Sequence, residues 1–210
     1  MYNSILKDKS ATIEIKKSTF IGHAFFVKDE ERALEIIDEV STKYRDATHN
    51  CYAYIIGEDA NIQRYSDDGE PSGTAGVPML EVLKKEELRN ILVISTRYFG
   101  GIKLGAGGLV RAYTSSVVEA LNASTRAVRK IFNRTSVKYD YTNHGKILNY
   151  LAGEGVKVLK ENYSDLVEII VDLEDDSKII KDLIDLTSAN VEFKILEEVE
   201  LPTIDGKIIY

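Results

Sequence analysis

The chain of 210 residues has one cysteine, Cys51. No disulfide can close within it, and a cysteine metal cluster is excluded because such a site needs several thiolates. It also lacks any apolar run near the roughly 18–20 residues that a helix needs to cross a bilayer. The opening Met1-Tyr-Asn-Ser-Ile-Leu-Lys-Asp8 has neither the basic nor the apolar region of a secretory leader. A cytoplasmic protein with no membrane contact is expected. Two enzyme signatures are missing as well. There is no Gly-x-Ser-x-Gly nucleophile elbow, and no Walker or dinucleotide spacing of glycines. Low-complexity sequence is absent, and 44% hydrophobic with 29% charged residues is an ordinary globular mixture.

Positive charge is scarce overall, with a formal net charge of -7. A large nonspecific nucleic-acid surface is therefore not expected. The distribution is uneven, however. Residues 1–130 hold 18 basic and 18 acidic side chains, and residues 131–210 hold 9 and 16. Between residues 89 and 130, Arg89, Arg97, Lys103, Arg111, Arg126, Arg129 and Lys130 face Glu119 alone. That permits a confined anion-binding zone, although ordinary solvated charge accounts for it equally well.

Periodicity divides the chain into two α+β domains. Residues 12–27 alternate apolar and polar on both sides of Lys16-Lys17-Ser18, the pattern of a strand pair. Asp29 is placed to cap a helix whose Ala33, Ile36, Ile37, Val40 and Tyr44 share a face. Residues 51–56 and 62–65 read as strands, 77–83 as a short helix, and 90–96 as a buried strand from its continuous apolar run. Leu109, Tyr113, Ser116, Val117, Ala120 and Leu121 line one face of a long helix. From Ile131 the pattern restarts as strand, helix, two strands, helix, strand. That order is the split-βαβ, ferredoxin-like plan. The boundary is expected near Lys130, and the second half is accounted for by core packing.

Three segments can carry chemistry. The first is Arg97-Tyr-Phe-Gly-Gly-Ile-Lys-Leu-Gly-Ala-Gly-Gly-Leu-Val-Arg111, with five of the 14 glycines. Gly100, Gly101, Gly105, Gly107 and Gly108 free the backbone to approach a ligand, and the start of a helix adds unpaired N–H groups that suit phosphate. Arg97, Lys103 and Arg111 flank it. A tight strand-to-helix connection explains one or two of the glycines, but five with flanking cations favour an anion site. The second segment is Ser66-Asp-Asp-Gly-Glu-Pro-Ser-Gly-Thr-Ala-Gly76. Asp67, Asp68 and Glu70 could hold Mg²⁺; turn chemistry, with Ser72 or Thr74 capping the next helix, explains them at least as well. The third is Asp46-Ala-Thr-His-Asn-Cys51. A cysteine flanked by Tyr52 and Ala53 reads as a small buried hydrophobe, whereas His49 suits a phosphate contact. His23 and His144 have no partner visible in sequence.

Together these segments resemble the YigZ/IMPACT family, of the bacterial YigZ type. The match lies in Asp-Ala-Thr-His-Asn-Cys-Tyr-Ala-Tyr at residues 46–54, in residues 66–80, and in Thr-Arg-Tyr-Phe-Gly-Gly-Ile-Lys-Leu-Gly-Ala-Gly-Gly-Leu-Val-Arg-Ala-Tyr at residues 96–113. The resemblance implies an IMPACT-type N-terminal domain over residues 1–130, of the ribosomal-protein and elongation-factor βαβ type. Over residues 131–210 it implies a ferredoxin-like domain similar to a C-terminal domain of elongation factor G. It also implies a link to translation and its regulation. Eukaryotic IMPACT proteins restrain a general-control kinase by competing for its activator. The family motifs begin too early here for a separate N-terminal RWD domain, so the kinase role is not carried over.

Three functional readings follow. In the first, the protein is a translation-associated regulator that binds RNA or the ribosome at the cation-flanked glycine segment, with Tyr98 or Phe99 stacking on a base. It needs no cofactor, and the family offers no settled enzymatic activity. In the second, it is a Mg²⁺-dependent enzyme on a nucleotide or phosphorylated metabolite, with Asp67, Asp68 and Glu70 on the metal. In the third, the acidic second domain docks a basic protein. Oligomeric state is not legible.

Overall fold

A computed structural model describes residues 1–175 and 177–210. They divide into two units, Met1–Val128 and Arg129–Tyr210, each a mixed α+β arrangement. Among the described residues, no helix is long and apolar enough to cross a membrane.

The first unit runs β1 (Tyr2–Ile5), β2 (Lys9–Ile15), β3 (Ser18–Phe26), α1 (Glu30–Lys43), β4 (His49–Ile56), β5 (Ile62–Ser66), α2 (Gly76–Lys85), β6 (Ile91–Tyr98) and α3 (Ala106–Ala123). Lys16 and Lys17 both take positive φ, at 47° and 67°. This is the turn whose twist suits a two-residue hairpin between β2 and β3. Asp29 caps α1 as its position predicts, its carboxylate accepting from the Arg32 N–H at 2.8 Å. The sheet order is β2-β3-β6-β4-β5, antiparallel throughout.

Helices cover both faces of this sheet. On one face α2 and α3 bury Met79, Leu83, Tyr113, Val117 and Leu121 against Phe20, Ala53 and Val93. On the other, α1 buries Ala33, Ile36 and Val40 against Tyr54, Leu92 and Ile94. The continuous apolar run of β6 has its reason here. Runs of that kind usually mark parallel sheets, but any central strand covered on both sides needs one.

The second unit takes up β7 (Arg126–Tyr139), which begins just before the boundary. There follow α4 (His144–Gly153), β8 (Lys160–Tyr163), β9 (Val167–Leu173), α5 (Lys178–Leu186), β10 (Val191–Ile204) and β11 (Lys207–Ile208). The order β11-β10-β7-β9-β8 is the ferredoxin-like one with a short hairpin strand added. Its core is Val137, Tyr139, Ile147, Leu151, Val167, Ile169, Val171 and Leu183.

Candidate phosphate site

The glycine segment connects the end of β6 to the start of α3, as its composition predicts. β6 is central, so its last residues sit beside both neighbours: Arg97 pairs with Phe20 on β3 and with His49 on β4. Gly100 is required by close approach. A Cβ there would lie 1.9 Å from the Lys17 carbonyl oxygen, so this glycine seats the connection against the β2–β3 turn. Gly105 takes φ 72° and ψ 165° as the N-cap of α3, a region of backbone space essentially restricted to glycine. Among the described residues, no side chain caps α3. Its first N–H groups, on an 18-residue helix, are left for another acceptor.

A cavity of about 370 Å³ opens at that helix start, lined on one side by Lys103, Leu104, Gly105 and Ala106 and on the other by His49, Glu70, Arg97 and Phe99. Lys103 is exposed and has no ion-pair partner among the described residues. Of the residues expected to meet phosphate, His49, Arg97, Lys103 and Gly105 come together here. Gly101, at φ 83°, has open space around it, and Gly107 and Gly108 lie in the first turn of α3 without lining the cavity. Arg111 is one turn further along, exposed, near Gly107 and away from the cavity.

Arg97 is buried, and its charge is already matched. Its Nη1 donates to Glu70 Oε1 at 2.5 Å, and its guanidinium lies over the rings of Phe20 and Phe99 at 5.4 and 5.5 Å. The Tyr113 hydroxyl donates to the same Glu70 oxygen at 2.7 Å. Burial, then contact with Cys51 and Glu70, pushes the Tyr113 phenol well above its usual range. It therefore stays a donor. His49 Nδ1 faces the Asp68 carbonyl at 2.7 Å, so Nδ1 carries the proton. Nε2 then points the other way, 3.7 Å from Glu70 Oε1.

The acidic loop does not converge on a common point. The Asp67 carboxylate accepts from the N–H groups of Gly73, Ala75 and Gly76 at 2.8, 3.1 and 2.8 Å. It thereby caps α2 from nine residues away. Ser72 and Thr74, expected as caps, do not serve: the N-cap position is Ala75, with no side-chain oxygen, and the Thr74 hydroxyl donates to the Pro71 carbonyl. Asp68 Oδ2 accepts from Asn50 N–H at 2.5 Å. Glu70 belongs to Arg97 and Tyr113. Among the described residues, no group of three His, Cys, Asp or Glu side chains could hold a metal, and these carboxylates do not fit Mg²⁺. Cys51 is fully buried, donates to the Asp67 carbonyl at 3.0 Å, and is pushed up to about 12 by burial. It packs, as expected, and is not a nucleophile.

Sequence reasoning assigned Tyr113 only to the apolar face of α3. The signal available was its hydroxyl, which on a buried face demands an acceptor. Thr48, Pro71, Leu104 and Leu109 also line the cavity; nothing in their spacing marks them.

The Impact N-terminal domain family matches residues 16–121. A second family, described as a domain of unknown function (DUF1949), matches residues 137–190. IMPACT family member YvyE of Bacillus subtilis (strain 168) is 54% identical over 74% of this chain and 72% of its own. IMPACT family member YigZ of Escherichia coli (strain K12) is 35% identical over 76% of this chain and 79% of its own. A crystal structure described as that of a hypothetical protein is 30% identical, with a TM-score of 0.60, covering 93% of this chain and 97% of that one.

Proposed function

This chain belongs to the IMPACT family, and on that footing we propose that it is a translation-associated regulatory protein that binds RNA or the ribosome through a phosphate site at the start of α3. One observation carries the reading. The uncapped N-terminus of α3 and Lys103, which has no ion-pair partner among the described residues, border one cavity. A helix start supplies N–H donors and partial positive charge, and a nearby lysine adds a salt-sensitive contact. Arg97 supports the site through Glu70 rather than offering a free charge.

Four of the seven basic residues between 89 and 130 are ion-paired within the protein, so the charge left for a polyanion is confined to a small footprint. The family's association with translation makes RNA the natural polyanion. Filter binding of ribosomal RNA fragments across a salt series tests the reading. Wild-type protein is expected to bind with a negative log–log salt slope, and Lys103→Ala to lower that slope by about 0.7–0.9 for one lost phosphate contact. No binding at low salt, or a variant identical to wild type, overturns it.

A further inference from the structure

The cavity at the start of α3 has two chemically opposite ends. Its exposed side offers donors and positive charge, from Lys103 and the α3 amides. Its buried side offers an acceptor, Glu70, whose side chain is only 3% exposed. Glu70 Oε1 takes hydrogens from Arg97 and Tyr113. Oε2 takes none from any described residue. Nor is Oε2 sealed away from solvent without a partner, as Arg97 Nε is, and Glu70 lines the cavity.

An ionised carboxylate oxygen can only accept, so a ligand that displaces water from it carries a desolvation penalty unless it brings a hydrogen-bond donor. An anion pushed to this end would meet like charge, and it would find Arg97 already neutralised. A ligand that fills the cavity is therefore best matched when it is anionic at one end and a hydrogen-bond donor at the other.

We infer that the cavity takes a single unpaired nucleotide, phosphate outward and base inward, and that it favours a base bearing an exocyclic amino group. The inference rests on the phosphate reading above and adds the class of ligand. About 370 Å³ lies within the range of small-ligand sites and is far too confined for a duplex. Phe99, 48% exposed, lines the same cavity and offers its ring for stacking. An amino group such as cytosine N4 donates to a carboxylate. Uracil is nearly the same shape but carries a carbonyl oxygen at that position, which sets acceptor against acceptor. A free nucleoside monophosphate and an unpaired nucleotide in an RNA strand share this chemistry.

The test uses the full wild-type chain with oligo(C), oligo(U), CMP and UMP, by fluorescence anisotropy for the strands and calorimetry for the monophosphates. The cytidine ligand is expected to bind about tenfold more tightly than its uridine counterpart. A preference among the strands identifies an RNA source, and a preference confined to the monophosphates identifies a free nucleotide. Phe99→Ala, at an exposed position, is expected to weaken cytidine binding about tenfold. Glu70→Gln is expected to abolish the preference; because it breaks a buried ion pair, the comparison of ligands on wild-type protein carries the test if that variant does not fold. Equal affinity for cytidine and uridine, with binding that still depends on salt and on Lys103, overturns the inference and leaves the phosphate site standing. Binding of none of the four overturns both.

Discussion

Each unit buries a carboxylate against an arginine, and the two pairs are finished differently. In the second unit the Asp172 side chain is 0% exposed, and both its oxygens are met by Arg134, Nε to Oδ1 at 3.0 Å and Nη2 to Oδ2 at 3.3 Å. Arg134 Nη1 then reaches Glu197 at 2.8 Å. In the first unit Glu70, which lines a cavity, crowds its donors onto one oxygen and leaves the other with none among the described residues. A fork-to-fork pair satisfies its own valences and so serves the fold. A buried pair with one oxygen unmet leaves an acceptor open. Cavity size does not make this distinction, since a larger space of about 480 Å³ lies beside Asp172.

The contrast breaks most readily at its arginines. Arg97→Met strands the Glu70 carboxylate in the interior and is expected to cost about 3–5 kcal/mol. Arg134 is 29% exposed, so water can partly replace it, and Arg134→Met is expected to cost less. Urea unfolding of the two variants, followed by hydrogen exchange in β6 and β9, measures the difference. An equal or larger loss for Arg134→Met would mean that the two pairs are alike.

A second difference lies in acid. His23 is buried on β3 with Nδ1 on Ser10 Oγ at 2.7 Å and Nε2 without a hydrogen-bond partner among the described residues. Burial, then the Lys43 charge, lowers it to about 4. The unfolded chain takes up this proton near pH 6.5 and the folded one only near 4, so folding becomes less favourable as pH falls through that window. The expected loss is about 2–3 kcal/mol in the first unit. Protection factors of the β3 amides, corrected for the pH dependence of intrinsic exchange, should fall between pH 7 and 4, and His23→Gln should flatten the dependence. A wild-type slope retained in that variant would point to another group.

The cavities themselves can be set against each other at about 1 kcal/mol. Lys103→Ala is expected to weaken RNA binding about fivefold. Lys207→Ala, beside the larger cavity of the second unit, is expected to leave it unchanged; a matching loss would move the site or double it. The smallest effect is a null one. Cys51 lies beneath the acidic loop with its thiol pushed up to about 12, and Ellman's reagent at pH 8 should not label native protein. Prompt labelling would show that the loop opens and that Glu70 is less enclosed than its burial indicates.

Most elements could be read from the chain because helix and strand periods are local. The face of α1, its Asp29 cap, the Lys16-Lys17 turn and the order of the second unit all follow from residues a few positions apart. β1 and β11 escaped because four and two residues are too short to show a period. The first residues of β7, Arg-Ala-Val-Arg-Lys, hid because Arg129 is buried on the face where an apolar residue would have signalled a strand. At the site, the residues alone identified a strand end, a run of glycines and flanking cations, and they placed phosphate chemistry there. They left Asp67, Asp68 and Glu70 as a possible metal trio. Only the folded chain decided otherwise. Pairing of β4 with β6 sets His49 beside Arg97, and the acidic loop then gives each carboxylate its own donors. A carboxylate's partners are chosen by distance in space, so which oxygen stays open cannot be written in the spacing of the sequence.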